Sequence, residues 1–150
     1  MLPTAFFYVW MAAKGPDAAA PKPKEPGPEP AKEATDDGLS PPRDVPVHAP
    51  TVFADCPVDQ LGFTVGSLAN AIEVGAPRYN QGDHVGCYRI YLGTATDLVS
   101  TLPGCTGVRA ALVAGIVRAS ALQTYTERAW AMRDAFDGLL EAYQRRKAPP

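Results

Sequence analysis

The residues best suited to chemistry in this 150-residue chain lie in one short stretch, from Arg78 to Tyr91. His84 and Cys87 are three positions apart, so on a helix they share a face. A helix N-terminus favours a thiolate and a neighbouring imidazolium favours it further, as a nucleophilic or redox cysteine requires. A buried cysteine beside a capping or surface histidine is the simpler interpretation. Together with Trp130, the polar and aromatic residues of this stretch form the candidate ligand-binding set: Arg78, Tyr79, Asn80, Asp83, His84, Cys87, Tyr88, Tyr91 and Trp130.

The sequence lacks the patterns of metal, nucleotide and hydrolase sites. Apart from His84 the domain has no histidine, and it has no CxxC, HExxH or Glu-x-x-His pattern of metal ligands. It also has no GxxxxGK[ST] loop, and no serine on the strained turn that a Ser-His-Asp site needs. Its net charge of −2 argues against a general nucleic-acid binder. We expect no metal, cofactor or nucleic-acid partner, with non-covalent haem on His84 as the remaining alternative, and we favour a non-enzymatic protein.

Helices are expected to position these residues. Apolar residues between positions 58 and 80 recur every three or four residues, which is helical periodicity. Pro77 lies late in this helix and is expected to kink or break it, so that residues 78–81 form a separate turn. Gly82 suits the left-handed position after a helix and Asp83 suits an N-cap, so a second helix is expected to begin there.

Two further helices follow in the sequence. One is expected behind Thr106, and Thr124-Tyr125-Thr126-Glu127 matches the capping box that would begin another. The alternative is one continuous helix over residues 106–147. No segment shows the two-residue alternation of a strand, and short connections favour antiparallel neighbours. The expected fold is all-α, an antiparallel up-and-down four-helix bundle, or a three-helix bundle if the last two helices are continuous.

The N-terminal third has a different composition, because 12 of the 16 prolines lie in the first 57 residues. Residues 1–20 contain a twelve-residue apolar run with the length of a signal-peptide core, although the usual basic residues before it are missing. An apolar tail packed on the domain is the alternative. Residues 21–54 are rich in proline and charge, and we expect a disordered tether there. The bundle is expected over residues 55–147, followed by a tail, 148–150.

Three cysteines leave at least one thiol unpaired within the chain. In the expected bundle, Cys56 and Cys105 lie at the same pole, whereas about 22 Å of helix separates Cys87 from the loop that holds Cys105. Since a disulfide needs Cα atoms within about 7 Å, Cys56–Cys105 is the candidate bridge, and three small buried thiols are the alternative. The bridge and the apolar run together predict export to the periplasm or the extracellular space. If the run is not a signal, the expected location is the cytoplasm.

Basic side chains are expected at the pole that carries the candidate ligand-binding residues, where three helix ends meet. They suit an anionic small ligand or an acidic peptide, and an ordinary solvated rim is the alternative. The residues concerned are Arg78, Arg89, Arg128 and Arg133.

Two segments carry a resemblance to other proteins. Residues 71–91 read AIxxGAPxYNxGDHxxCYxIY, and residues 128–137 read RAWAMRDAFD. Over roughly residues 68–140 the chain resembles a helical module of uncharacterised bacterial proteins, some exported or joined to other domains. This resemblance implies a discrete helical domain and no particular activity.

The function expected from the sequence is binding. We expect an exported, tethered helical-bundle module that binds a protein partner or a small ligand, touching a membrane only through an uncleaved N-terminal segment. The alternative is a thiol-dependent enzyme or redox sensor that uses Cys87 with His84.

Overall fold

The computed structural model describes residues 40–148 and is all-helical over that range. A short 3-10 helix (Pro50–Phe53) precedes the four α-helices, which are α1 (Val58–Asn80), α2 (His84–Thr101), α3 (Thr106–Ser120) and α4 (Tyr125–Lys147). Because α3 and α4 are separate, the four-helix bundle is confirmed over the three-helix alternative. The predicted signal-like segment, the tether before residue 40 and the last two residues of the predicted tail lie outside the described residues.

The core lies around two central helices. α2 packs against α4, while α1 packs mainly on α2 and α3 mainly on α4. Burying one large apolar side chain stabilises a fold by about 1.5–3 kcal/mol, and all four helices contribute such residues. The largest fully buried apolar and aromatic side chains of the helices are those of Leu68, Tyr91, Leu98, Leu112, Met132, Phe136 and Leu139.

The turn between α1 and α2 follows the sequence signals closely. Gly82 has a φ of +84°, and its N–H donates to the carbonyl of Tyr79 at 2.9 Å. The N–H of Asp83 donates to the carbonyl of Arg78 at 2.9 Å, which completes a Schellman motif. The expectation of a break at Pro77 was wrong, since α1 continues through it to Asn80. A proline removes one backbone hydrogen bond, and the capped C-terminus keeps the rest of the last turn helical.

The turn between α3 and α4 is fixed by the predicted capping box. The Glu127 N–H donates to the Thr124 hydroxyl at 3.1 Å, and the Glu127 carboxylate accepts the Thr124 N–H at 3.0 Å. Hydrogen bonds from Thr124 lower the pKa of Glu127, and the bond from the Thr124 backbone has a larger effect than the one from its side chain. This reciprocal pairing begins α4 at Tyr125, five residues before Trp130.

Residues 40–54, here called the strap, pack along the bundle. Arg145 donates to the carbonyl of His48 at 2.9 Å, and Arg146 donates to the carbonyl of Phe53 at 2.7 Å. The side chain of Phe53 is fully buried. Contact with the helices thus begins before the boundary expected from composition, through backbone carbonyls of the strap and the buried side chain of Phe53.

A buried carboxylate on α4 anchors the strap. Asp134 is only 2% exposed, and it accepts the guanidinium Nε of Arg43 and the N–H of Asp44, the latter at 2.9 Å. Arg118 on α3 also donates to Asp134 at 3.2 Å, and Arg43 reaches Asp137 through a second nitrogen. Among residues 40–148, three residues donate to Asp134, and two of them belong to the strap.

Two glycines allow the strap backbone to lie against the helices. A Cβ at Gly138 on α4 would collide with the carbonyl oxygen of Pro46, and one at Gly107 on α3 would collide with that of Val52. A glycine inside a helix costs about 1 kcal/mol relative to alanine. Close contact with the strap provides a structural reason for both residues.

The two residues that follow the strap, Asp55 and Cys56, contact the start of α3 and the loop before it. Cys56 and Cys105 lie at disulfide distance, with Cα atoms 4.4 Å apart, as the pole argument predicts. Beside them, Asp55 accepts both the hydroxyl and the N–H of Thr106 at the N-terminus of α3. The Thr106 side chain and then its backbone lower the pKa of Asp55, so this carboxylate acts as a cap supplied from outside the helix.

Candidate functional site

A pocket of about 240 Å³ opens between α1, α2 and α4. It contains five of the nine residues in the candidate ligand-binding set, together with two small residues and an arginine. The lining residues are Ala76, Tyr79 and Asn80 on α1, Cys87 and Tyr91 on α2, and Ala129, Trp130 and Arg133 on α4. We call this space the aromatic pocket.

Tyr91 forms the buried wall of the aromatic pocket. Its side chain is 2% exposed and packs edge-on against Phe136, with ring centroids 5.5 Å apart. The ring lies directly against the backbone of Gly75, where a Cβ would overlap it. Burial and then the neighbouring Cys87 raise the pKa of the Tyr91 hydroxyl, which also contacts the Arg133 guanidinium. At neutral pH this hydroxyl is therefore protonated.

The thiol of Cys87 lies in an environment that opposes thiolate formation. Cys87 is 1% exposed, and burial raises the pKa of its thiol despite the helix N-terminus nearby. Its side chain also contacts the Tyr91 hydroxyl. A nucleophilic cysteine needs the opposite shift, so these surroundings favour an apolar wall over a reactive group.

Arg133 is held at the pocket by a partner behind it. Its Nε donates to the two carboxylate oxygens of Asp137, at 2.9 and 3.1 Å, one helical turn further along α4. Asp137 also accepts Arg43 of the strap, so one carboxylate is shared by two guanidinium groups. The arrangement fixes the orientation of Arg133 at the pocket.

Trp130 connects the pocket with the strap. The Arg43 guanidinium lies 4.9 Å from the centre of its ring, and Tyr79 meets the ring edge-on at 5.6 Å. Its indole N–H is buried and, within the part of the chain that the structure describes, has no hydrogen-bond acceptor. Buried indole N–H groups normally have a partner, so this donor is an exception among the buried polar groups of residues 40–148.

Two of the remaining candidate residues, Arg78 and Asp83, stabilise the turn before α2 through hydrogen bonds. Asp83 accepts the N–H of Gly86 at 2.8 Å as the N-cap, and Arg78 donates to its other oxygen at 2.9 Å. The Gly86 N–H and then Arg78 lower the pKa of Asp83. Neither candidate lines the aromatic pocket.

The other two candidates lie in contact with aromatic and hydroxyl groups. The His84 ring stacks on Tyr79 with centroids 4.5 Å apart, and its Nδ1 lies 2.9 Å from the Thr126 hydroxyl. Tyr88 is buried, with its ring centroid 5.8 Å from that of Tyr125. Neither His84 nor Tyr88 lines the pocket, but His84 supports the ring of Tyr79, which does.

Three lining residues were absent from the candidate set. Ala76 and Ala129 are small and carry no chemical signal, although their size leaves the space open. Arg133 was expected only as part of a basic rim, and its spacing of four residues from Asp137 was the available sign that its orientation is fixed.

The described residues offer no group of three or more His, Cys, Asp and Glu side chains that could hold a metal ion. Between residues 40 and 148, no helix is both long and apolar enough to cross a bilayer. No family model matches the sequence, and neither the curated proteins nor the solved structures include a match. The resemblance to a helical module of bacterial proteins therefore stays a prediction.

Proposed function

We propose that this chain is a binding module that holds a small molecule in the aromatic pocket and does no chemistry on it. The observation that carries the proposal is the composition of the pocket, which combines three aromatic rings with one oriented guanidinium. Small-molecule sites are usually concave and mostly apolar, with a few polar groups that fix orientation. A space of about 240 Å³ suits a molecule of one or two rings.

The surroundings of Cys87 support binding over the thiol-dependent alternative. Burial raises the pKa of this thiol, and the side chain is 1% exposed. The neighbouring histidine, His84, is engaged by the ring of Tyr79 and the hydroxyl of Thr126. We therefore assign Cys87 to the pocket wall.

We also propose that the module acts outside the cytosol and that its N-terminal segment directs its export. The Cys56–Cys105 pair at disulfide distance supports an oxidising compartment. The test is mass spectrometry of the full chain after expression in a bacterial host with separate periplasmic and cytosolic fractions. A shortened chain with one bridge in the periplasm is expected, whereas a chain with Met1 and three free thiols would contradict export.

Binding itself is tested with indole and phenol as probes. We expect both to raise the melting temperature and to shift amide signals of the pocket residues in ¹H–¹⁵N spectra. A ligand at ten times its Kd adds RT ln 11, about 1.4 kcal/mol, to the stability of the native state. For about 110 described residues this is a rise of roughly 6 °C.

A pair of matched variants locates the binding. Ala76→Leu places a larger side chain on the pocket wall and should abolish the rise, whereas Ala110→Leu makes the same change at an exposed position of α3 and should preserve it. If no probe raises the melting temperature, or if Ala76→Leu leaves the rise unchanged, the proposal is wrong.

A further inference from the structure

We infer that the aromatic pocket selects an aromatic carboxylate, an inference that rests on the proposed function. Arg133 lines the pocket as a cation, and none of the described lining residues carries a carboxylate. Asp137 contacts Arg133 from outside this set, and Asp134 lines a neighbouring space beneath the strap. An anionic molecule in the pocket would therefore meet the Arg133 guanidinium, and it would meet no carboxylate among the lining residues.

The donors around the pocket suit a carboxylate better than a neutral acceptor. Arg133 has its Nε committed to Asp137, which leaves the terminal nitrogens of a pre-oriented guanidinium for other partners. The Tyr91 hydroxyl contacts this guanidinium and is protonated at neutral pH. Hydrogen bonds between ionised partners are about twice as strong as neutral ones. A carboxylate therefore gains more at this position than an amide or alcohol.

The balance of charge around Arg133 also favours an added anion. Asp137 is shared with Arg43, and the other carboxylate partner of Arg43, Asp134, is shared with Arg118. Each carboxylate on this part of α4 therefore faces two guanidinium groups. Asp44 is the third carboxylate of the network, and its side chain is 86% exposed, so it offsets little of this charge at the pocket.

The walls of the pocket indicate a flat body for the ligand. The rings of Tyr79 and Trp130 meet at an interplanar angle of 74°, so a planar ligand can stack on one and present its edge to the other. Ala76 and Ala129 leave room beside these rings.

Benzoate and benzamide test this inference, because they share size and shape and differ in charge. The full-length protein is titrated with each at pH 7 and followed by ¹H–¹⁵N spectra. We expect benzoate to bind at least tenfold more tightly than benzamide. Arg133→Gln should remove the advantage of benzoate over benzamide, while Lys147→Gln, on the same helix but outside the pocket, should preserve it.

The outcomes separate the inference from the function on which it rests. If benzamide binds as tightly as benzoate in the unmodified protein, the ligand class is wrong although the pocket binds small molecules. If benzoate keeps its advantage in a folded Arg133→Gln variant, the assignment of Arg133 is wrong. If neither compound binds, and indole and phenol also fail, the proposed function itself is wrong. The comparison in the unmodified protein does not depend on the folding of any variant.

Discussion

Arg43→Ala is the sharpest test of the strap. The substitution removes the ion pairs to Asp134 and Asp137 and the contact with the Trp130 ring. Stranding a buried charge typically costs about 3–5 kcal/mol, but Asp134 keeps two donors, Arg118 at 3.2 Å and the Asp44 N–H at 2.9 Å. Arg43 is also 41% exposed at its side chain, so solvent screens its interactions. We therefore expect a loss of about 2 kcal/mol, within the usual range for hydrogen bonds to charged groups.

The assay is urea denaturation combined with fluorescence in a Trp10→Phe background, where Trp130 is the remaining tryptophan. A loss of about 2 kcal/mol lowers the melting temperature by roughly 9 °C for a folded region of this size. The Trp130 emission of the folded Arg43→Ala variant, at urea concentrations below the unfolding transition, should differ from that of the unsubstituted protein, because Arg43 lies over the Trp130 ring. Arg145→Ala, which removes an exposed arginine that also contacts the strap, should cost under about 0.5 kcal/mol. Equal losses for the two variants would refute the anchoring role of Arg43.

Three other predictions follow from single contacts. Gly75→Ala should destabilise the fold by about 1–3 kcal/mol because the new Cβ overlaps the Tyr91 ring, whereas Gly66→Ala, in open space, should stabilise it by up to about 1 kcal/mol; urea denaturation of both variants checks this. Cys87 should react with iodoacetamide far more slowly in the native protein than in urea, up to pH 9, because burial raises its pKa; equal rates would contradict that burial. The pKa of Asp83 is lower in the folded chain, so its stabilising effect is present above its unfolded value of about 4 and is lost as pH falls through the folded value. Asp83→Asn should therefore flatten the fall in melting temperature below pH 4, and an unchanged acid slope would count against the cap.

The helices could be predicted from the sequence because their signals are local. The capping box at Thr124 and the Gly82-Asp83 pair each specify a helix end within a few residues. The one local expectation that was wrong, a break at Pro77, overrated a single lost hydrogen bond in a helix whose end is otherwise well capped. The cysteine pairing followed from the helices, since Cys56 and Cys105 lie at one pole of any bundle with these connections.

The packing of the strap on the helices could not be predicted, because the amino-acid composition of this segment is typical of disordered chain. A proline-rich, charged segment normally buries too little surface to become ordered. Here Arg43 and several backbone carbonyls contact residues about 90 positions away on α4, and the side chain of Phe53 is buried. The available sign was Gly138, an unfavourable residue in the middle of a helix that the strap backbone touches at Pro46. Recognising it requires knowing which segment covers that position.

The strap and the aromatic pocket form one structural unit, because they share two residues of α4. Arg43 of the strap contacts both Trp130, a wall of the pocket, and Asp137, the residue that orients Arg133. A ligand that binds better when Arg133 is held in place must then favour the docked strap, and by reciprocity a docked strap must favour the ligand. A chain that begins at residue 55 would also lack Arg43 and Asp44, two of the donors to Asp134 among the described residues. We therefore expect the folding unit to be residues 40–147 rather than the helices alone, and we expect the proposed binding to require the strap.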